Sequence, residues 1–177
     1  MTEADLPLVA TWLREPHVQR WWNDPSAPDR VEEKYLPRIR GEEATEMLVV
    51  LWDGAEVGMI QRYLMSDHPD WVRSLAPVGL AIDDPSTVAG IDYAIGVPDL
   101  IGGGIGSRVV ADFSHDLFLR HRAVDKIVVT PQAANRASCR VLEKAGYELV
   151  WTGMLESSDP SDAGPAAVYV LTRHSRG

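Results

Sequence analysis

The stretch that decides the fold runs from Gly90 to Ser107, GIDYAIGVPDLIGGGIGS. It reads as a strand, a short loop and a glycine-rich turn that opens a helix. Ile91, Tyr93, Ile95 and Val97 alternate with Gly90, Asp92, Ala94 and Gly96, and a period of two sends these sets to opposite faces. The first face is large and apolar and is expected to be core. The second is small with one carboxylate, Asp92, and is expected to leave room for something to lie against the strand. The turn carries Gly102, Gly103, Gly104 and Gly106. Glycine permits positive φ and a close approach to the backbone. The helix behind it, Ile105 to His121, aims its unpaired N–H groups and positive dipole end into that turn. Two readings stay open here: a tight connection, or a cradle for a phosphate or pyrophosphate with Asp92 as a base beside it. The P-loop pattern fails, because Gly106 is followed by Ser107 and Arg108. The dinucleotide pattern fails too, because the spacing is G-x-G-x-G.

Composition narrows the class. The 177 residues are 45% apolar, enough for one domain with a real core. A net charge of −9 argues against nucleic acid or an anionic membrane as the main partner. Cys139 is the one cysteine, so no internal disulfide and no cysteine-based zinc site can form. No apolar run approaches a membrane span and the start is not a signal peptide, so a cytoplasmic protein is expected. The six tryptophans are core or ligand platforms.

Along the chain, Thr2 with Asp5 resembles a capping box. A first helix follows with Leu6, Val9, Ala10 and Leu13 on one face. A short helix from His17 ends in Trp21-Trp22, and a third runs from Asp29 to Arg40, kinked or ended at Pro37. Glu46–Trp52 and Glu56–Met65 form a hairpin about Asp53-Gly54. Ser66–Ala89 has no clear period and is expected to be a long acidic loop holding Trp71, a binding loop or a surface insertion. After the glycine turn, the helix is expected to bury Ile105, Val109, Val110, Phe113, Leu117 and Phe118. Lys126–Thr130 is a strand. Asn135 caps a helix, Arg136–Ala145, that stops at Gly146. Strands Tyr147–Leu155 and Ala166–Arg173 enclose an acidic loop with Asp159 and Asp162. The expected class is α/β, a mixed sheet with helices, as one domain over residues 1–177.

The strand and G-x-G-x-G turn, followed by TPQAANRASCRVLEKAGYE (130–148), resemble the acetyl-coenzyme A binding half of the GCN5-related N-acetyltransferase (GNAT) superfamily. HVQRWWND (17–24), KYLP (34–37), GID (90–92) and GPAAVY (164–169) resemble the aminoglycoside 6′-N-acetyltransferases within it. The resemblance implies a mixed sheet splayed at its central strands, with acetyl-CoA as cosubstrate and no metal. It implies that Ile101, Gly102, Gly103, Gly104, Ile105, Gly106 and Ser107 hold the pyrophosphate and that Asn135 lies near the coenzyme. It makes Asp92 the base, in agreement with its place as the one ionisable group on the small face. The partner expected is a polycationic aminoglycoside, met by Asp83, Asp84, Asp92, Asp159 and Asp162 and by the ring faces of Trp21, Trp22 and Trp71. A monomer or homodimer is expected.

Four departures from the family pattern stand out. Ile101 replaces a Gln or Arg, Leu142 replaces the tyrosine proposed to protonate the thiolate, and Thr130 replaces an aspartate. The family's usual first strand would precede Thr2, so the chain is expected to be truncated or to lack it. Rival readings are a siderophore-biosynthesis acyltransferase (where His tends to stand in place of Asp92), a protein-amine acetyltransferase, and a non-catalytic acyl-CoA or drug-binding protein.

Overall fold

The structure, a computed structural model, describes residues 1–157 and 159–173. Its helices are α1 (Leu6–Arg14), α2 (Pro16–Gln19), α3 (Pro28–Ile39), α4 (Pro69–Ser74), α5 (Ile105–Arg120) and α6 (Arg136–Lys144). Its strands are β1 (Glu46–Trp52), β2 (Ala55–Leu64), β3 (Val88–Ile95), β4 (Lys126–Val129), β5 (Glu148–Gly153) and β6 (Ala166–Thr172). They form one mixed sheet in the order β1-β2-β3-β4-β6-β5, in which β3 and β4 are the parallel pair. Among the described residues no helix is long and apolar enough to cross a membrane.

The chain forms two compact units, and the boundary passes through β3 between Ile91 and Asp92. The first unit holds Met1–Tyr63 with Asp92–Gly106. Its core is Val9, Ala10, Trp12 and Leu13 of α1, Val18 of α2, Val31 and Tyr35 of α3, and Met47 and Met59 of the hairpin. Burying each large apolar side chain of such a cluster contributes about 1.5–3 kcal/mol. The hairpin turns as its sequence predicts: Asp53 (φ 51°) and Gly54 (φ 79°) both take the left-handed region that a type I′ turn demands. Pro37 does not break α3. It lies near the C-terminal end, where the helix closes within two residues and the Pro37 carbonyl accepts from the Glu42 amide (2.8 Å).

The second unit holds Leu64–Ile91 and the chain from Ser107 on. Its buried residues include Val110 and Leu117 of α5, Ile127 and Val128 of β4, Cys139 and Leu142 of α6, and Val168 and Tyr169 of β6. Val109, Phe113 and Phe118, expected in the core, are half-buried. The segment expected to be a loop, Ser66–Ala89, instead contains α4, short 3-10 turns at Ala76–Val78 and Pro85–Thr87, and the first residues of β3. A six-residue helix opened by Pro69 is too short to show a 3.6-residue period, which is why the pattern did not betray it.

β3 changes partners along its length. Val88, Ala89 and Gly90 pair with Lys126, Ile127 and Val128 of β4. Farther on the strand lies against β2, where Gly58 is so close that an added Cβ would stand 2.1 Å from the Ala94 carbonyl oxygen. The expected division of its two faces holds at Ile91, which is 1% exposed, and fails beyond it. Tyr93, Ile95 and Val97 are only half-buried. Beyond Asp92 the small face is filled by the protein itself: Ala94 packs on the first unit's core, and a Cβ at Gly96 would meet the Trp12 ring at 1.9 Å. At Gly96 the missing side chain makes room for an indole of α1.

Candidate active site

In the first unit, Asp92 is half-buried on β3. Its Oδ2 accepts a hydrogen bond from Gln61 Nε2 of β2 (2.8 Å). Gln61 is 8% exposed, and its Oε1 accepts from Arg38 Nη1 at the end of α3 (3.0 Å). Arg38 is held in turn: its Nε donates to Glu43 Oε2 (3.1 Å) and its guanidinium stands 5.5 Å from the centre of the Tyr35 ring. Sequence reasoning singled out Asp92 and not its hydrogen-bonded neighbours Gln61 and Arg38. The signal for Gln61 was a lone amide inside an apolar strand, VGMIQ, since a buried polar side chain has to have partners.

The tryptophan pair follows α2. Trp22 and Trp21 both donate backbone N–H groups to the Val18 carbonyl (2.8 and 3.0 Å). Trp22 Nε1 donates to Asp24 Oδ2 (3.1 Å). Asp24 is 7% exposed, and it also accepts from Lys34 Nζ (2.5 Å) and from the Tyr35 hydroxyl (2.5 Å). Burial, and then the Asp24 charge, push the Tyr35 phenol far above its ordinary range, so it donates and does not ionise. Asp24 was not singled out in the sequence, yet it fixes the Trp22 ring. One face of Trp21 is covered by the Arg20 guanidinium, 4.8 Å from the ring centre. That leaves less indole for a ligand than expected.

The glycine turn is open. Ile101 to Gly104 are exposed, Gly102 (φ 82°) and Gly104 (φ 85°) take the left-handed region, and nothing lies within 4 Å of a Cβ added at either. Gly106 and Ser107 fall in the first turn of the 16-residue α5, and Ile105 anchors it at 9% exposure. The first four N–H groups of a helix have no partner within it, so this end can accept an anion. The bulk that would crowd a diphosphate is absent, and the residues present fit the coenzyme.

In the second unit, Asn135 caps α6 as expected, its Oδ1 accepting from the Ser138 amide (3.1 Å). The residues of the family-like motif that follow serve packing. Glu143 accepts from the Tyr169 hydroxyl (3.0 Å), Gly146 ends the helix at φ 91°, and Tyr147 is buried with its hydroxyl 2.7 Å from Ser114 Oγ. Burial raises the Tyr147 phenol above its ordinary value. Cys139 and Leu142 are buried. Of the acidic residues, Asp83 is exposed. Asp84 caps the turn at Pro85–Thr87 through the Ser86 amide and hydroxyl, which hold its carboxyl below the usual range. Asp159 accepts from the Ser161 amide (2.8 Å) and Asp162 from the Ser157 hydroxyl (2.5 Å). Burial raises the Asp162 carboxyl above the ordinary aspartate value. Trp71 is half-buried on α4.

Comparison with known proteins identifies the family. Residues 1–154 match the model of the acetyltransferase (GNAT) domain family. The chain is 30% identical over 181 aligned positions to aminoglycoside N(6′)-acetyltransferase type 1 of Klebsiella pneumoniae and to that of Serratia marcescens, covering 99% of this chain and 82% of each relative. Among solved structures it is similar to aminoglycoside acetyltransferase AAC(6′)-Ib in complex with coenzyme A (TM-score 0.81, 30% identity, 98% of this chain and 92% of that one). It is similar to the same enzyme with coenzyme A and kanamycin (TM-score 0.80, 31% identity, 98% and 92%). The chain belongs to the GNAT acetyltransferase family, among the relatives of the aminoglycoside N(6′)-acetyltransferases.

Proposed function

We propose that this protein moves the acetyl group of acetyl-CoA to the 6′-amino group of aminoglycoside antibiotics, as a single acetyltransferase domain made of both units. The reading is carried by the likeness to aminoglycoside N(6′)-acetyltransferases along 99% of the chain. The open turn at Ile101–Ser107 supports it as a pyrophosphate cradle, with Asn135 near the coenzyme.

An aliphatic amine is protonated at neutral pH and does not attack a thioester. Asp92 binds the ammonium and takes one proton from it. The freed nitrogen attacks the thioester carbon directly, with no covalent enzyme intermediate, and placing both reactants together removes much of the entropic barrier. A backbone N–H of β3 polarises the carbonyl. As the C–N bond forms and the C–S bond breaks, the nitrogen loses a second proton and the departing thiolate gains one. The sum is an amide, free coenzyme A thiol and one proton released. Water protonates the thiolate, because Leu142 stands where the family places a tyrosine and the Tyr147 hydroxyl is engaged with Ser114. Asp83, Asp84, Asp159 and Asp162, with the indoles of Trp21, Trp22 and Trp71, are the groups we assign to the polycationic sugar.

The test is product analysis. Incubation with acetyl-CoA and kanamycin should give free coenzyme A thiol and a product whose NMR spectrum places the acetyl group on N6′. Acetylation only of a hydroxylated lysine derivative or a basic peptide would replace the substrate. Saturable binding with no thiol release would replace catalysis with sequestration.

A further inference from the structure

The hydrogen-bonded line Arg38–Gln61–Asp92 lies wholly within the first unit, and Arg38 and Gln61 stand behind the carboxylate in it. We propose that Arg38 acts through Gln61 as a positioning pair that fixes the orientation of the Asp92 carboxylate and keeps it an acceptor at Oδ2. The proposal rests on the reading of Asp92 as the base.

A glutamine amide has a donor end and an acceptor end, and the partner of one end decides what the other presents. A guanidinium has donors only. Arg38 therefore claims the Gln61 oxygen and turns the NH2 group toward Asp92. An N–H donor favours the charged carboxylate over the neutral acid. Were the amide free to rotate, its oxygen could accept from protonated Asp92 and hold the proton there. With Oε1 fixed on Arg38 that capture is closed. Rigidity comes from behind: Arg38 is pinned to Glu43 and laid against the Tyr35 ring, and the Tyr35 hydroxyl is bonded to buried Asp24. Gln61 is nearly inaccessible, so water is a poor substitute for the Arg38 donor.

The experiment is steady-state kinetics with acetyl-CoA and kanamycin on Arg38→Met, Arg38→Lys, Gln61→Met, the Arg38→Met/Gln61→Met double variant and Asp92→Asn. Melting temperatures are measured beside them. We expect Arg38→Met and Gln61→Met each to lower kcat about tenfold, as for loss of a hydrogen bond to a charged group. The KM for acetyl-CoA should stay within about twofold of wild type, since neither side chain is assigned to the coenzyme. Arg38→Lys, which keeps a donor for Oε1, should recover kcat to within about threefold. The double variant should be no slower than Gln61→Met alone, because Arg38 acts only through the amide. Should Arg38→Met fail to fold, Gln61→Met carries the test, since it removes the donor to Asp92 at nearly constant volume. Wild-type kcat in Gln61→Met, losses that multiply in the double variant, or a loss in Arg38→Met that lysine does not relieve would overturn the pair. Those results with Asp92→Asn inactive would remove the pair and leave the base. Full activity in Asp92→Asn would remove both.

Discussion

Gly96 is a residue defined by what it lacks. An added Cβ would stand 1.9 Å from the Trp12 ring, which is itself 2% exposed and cannot retreat into solvent. Gly96→Ala should therefore cost about 1–3 kcal/mol of stability, the usual price of overpacking, measured by urea denaturation. A ligand pocket at Gly96 predicts instead a fully stable variant with impaired binding. The same residue shows why faces are hard to read from alternation alone. Small side chains mark a close approach, and the sequence does not say whether a ligand or an indole approaches. Asp92, the proposed base, stood out in the sequence because it is a single carboxylate among small residues. Gln61, Arg38 and Asp24 were not, because their importance lies in pairings between elements distant in sequence. Asp162 gives a test with a definite sign. Burial raises its carboxyl above the unfolded value, so the folded state holds that proton more tightly, and ionisation costs stability above the raised value. That cost shrinks as pH falls through the raised value and is absent below the ordinary aspartate range. Asp162→Asn should raise the melting temperature at neutral pH, and the gap should close toward about pH 4. A gap that widens in acid would contradict this.

Among the elements, the turn from Ile101 to α5 carries the coenzyme assignment. Gly104 sits at φ 85° with open space around it, so a side chain there meets strain in the backbone rather than a clash. Gly104→Val should cost about 1–3 kcal/mol of local strain. It should also raise the KM for acetyl-CoA several-fold, while the KM for kanamycin changes little. An unchanged acetyl-CoA KM would move the pyrophosphate elsewhere. Elements with strong punctuation were legible: the Asp53-Gly54 hairpin, the Asn135 cap and the Gly146 stop all fall where the sequence places them. The stretch from Ser66 to Ala89 was not, because one short helix and single 3-10 turns have no period to detect. The motif that carries the family resemblance most clearly, Glu143 to Tyr147, is a packing device: a bonded glutamate, a helix stop and a buried tyrosine.

At the scale of the whole molecule, the strand order was not foreseeable from the order of elements, because β6 lies between β4 and β5 and only pairing reveals it. The charge of −9 was plain from the start. It bears on association with a polycation, which weakens as salt screens exposed charge. Raising ionic strength from about 0.05 M to about 0.5 M should raise the KM for kanamycin several-fold, and should not do so for the anionic acetyl-CoA. Equal sensitivity of both would mean that the acidic residues do not meet the antibiotic. The most direct measurement of the central claim is the rate of coenzyme A thiol release with kanamycin, with a 6′-hydroxyl aminoglycoside in its place, and with kanamycin and Asp92→Asn. The account predicts turnover with kanamycin, background with the 6′-hydroxyl compound, and a rate in Asp92→Asn lower by about a hundredfold or more. Equal turnover of the two antibiotics, or a wild-type rate in Asp92→Asn, would contradict it.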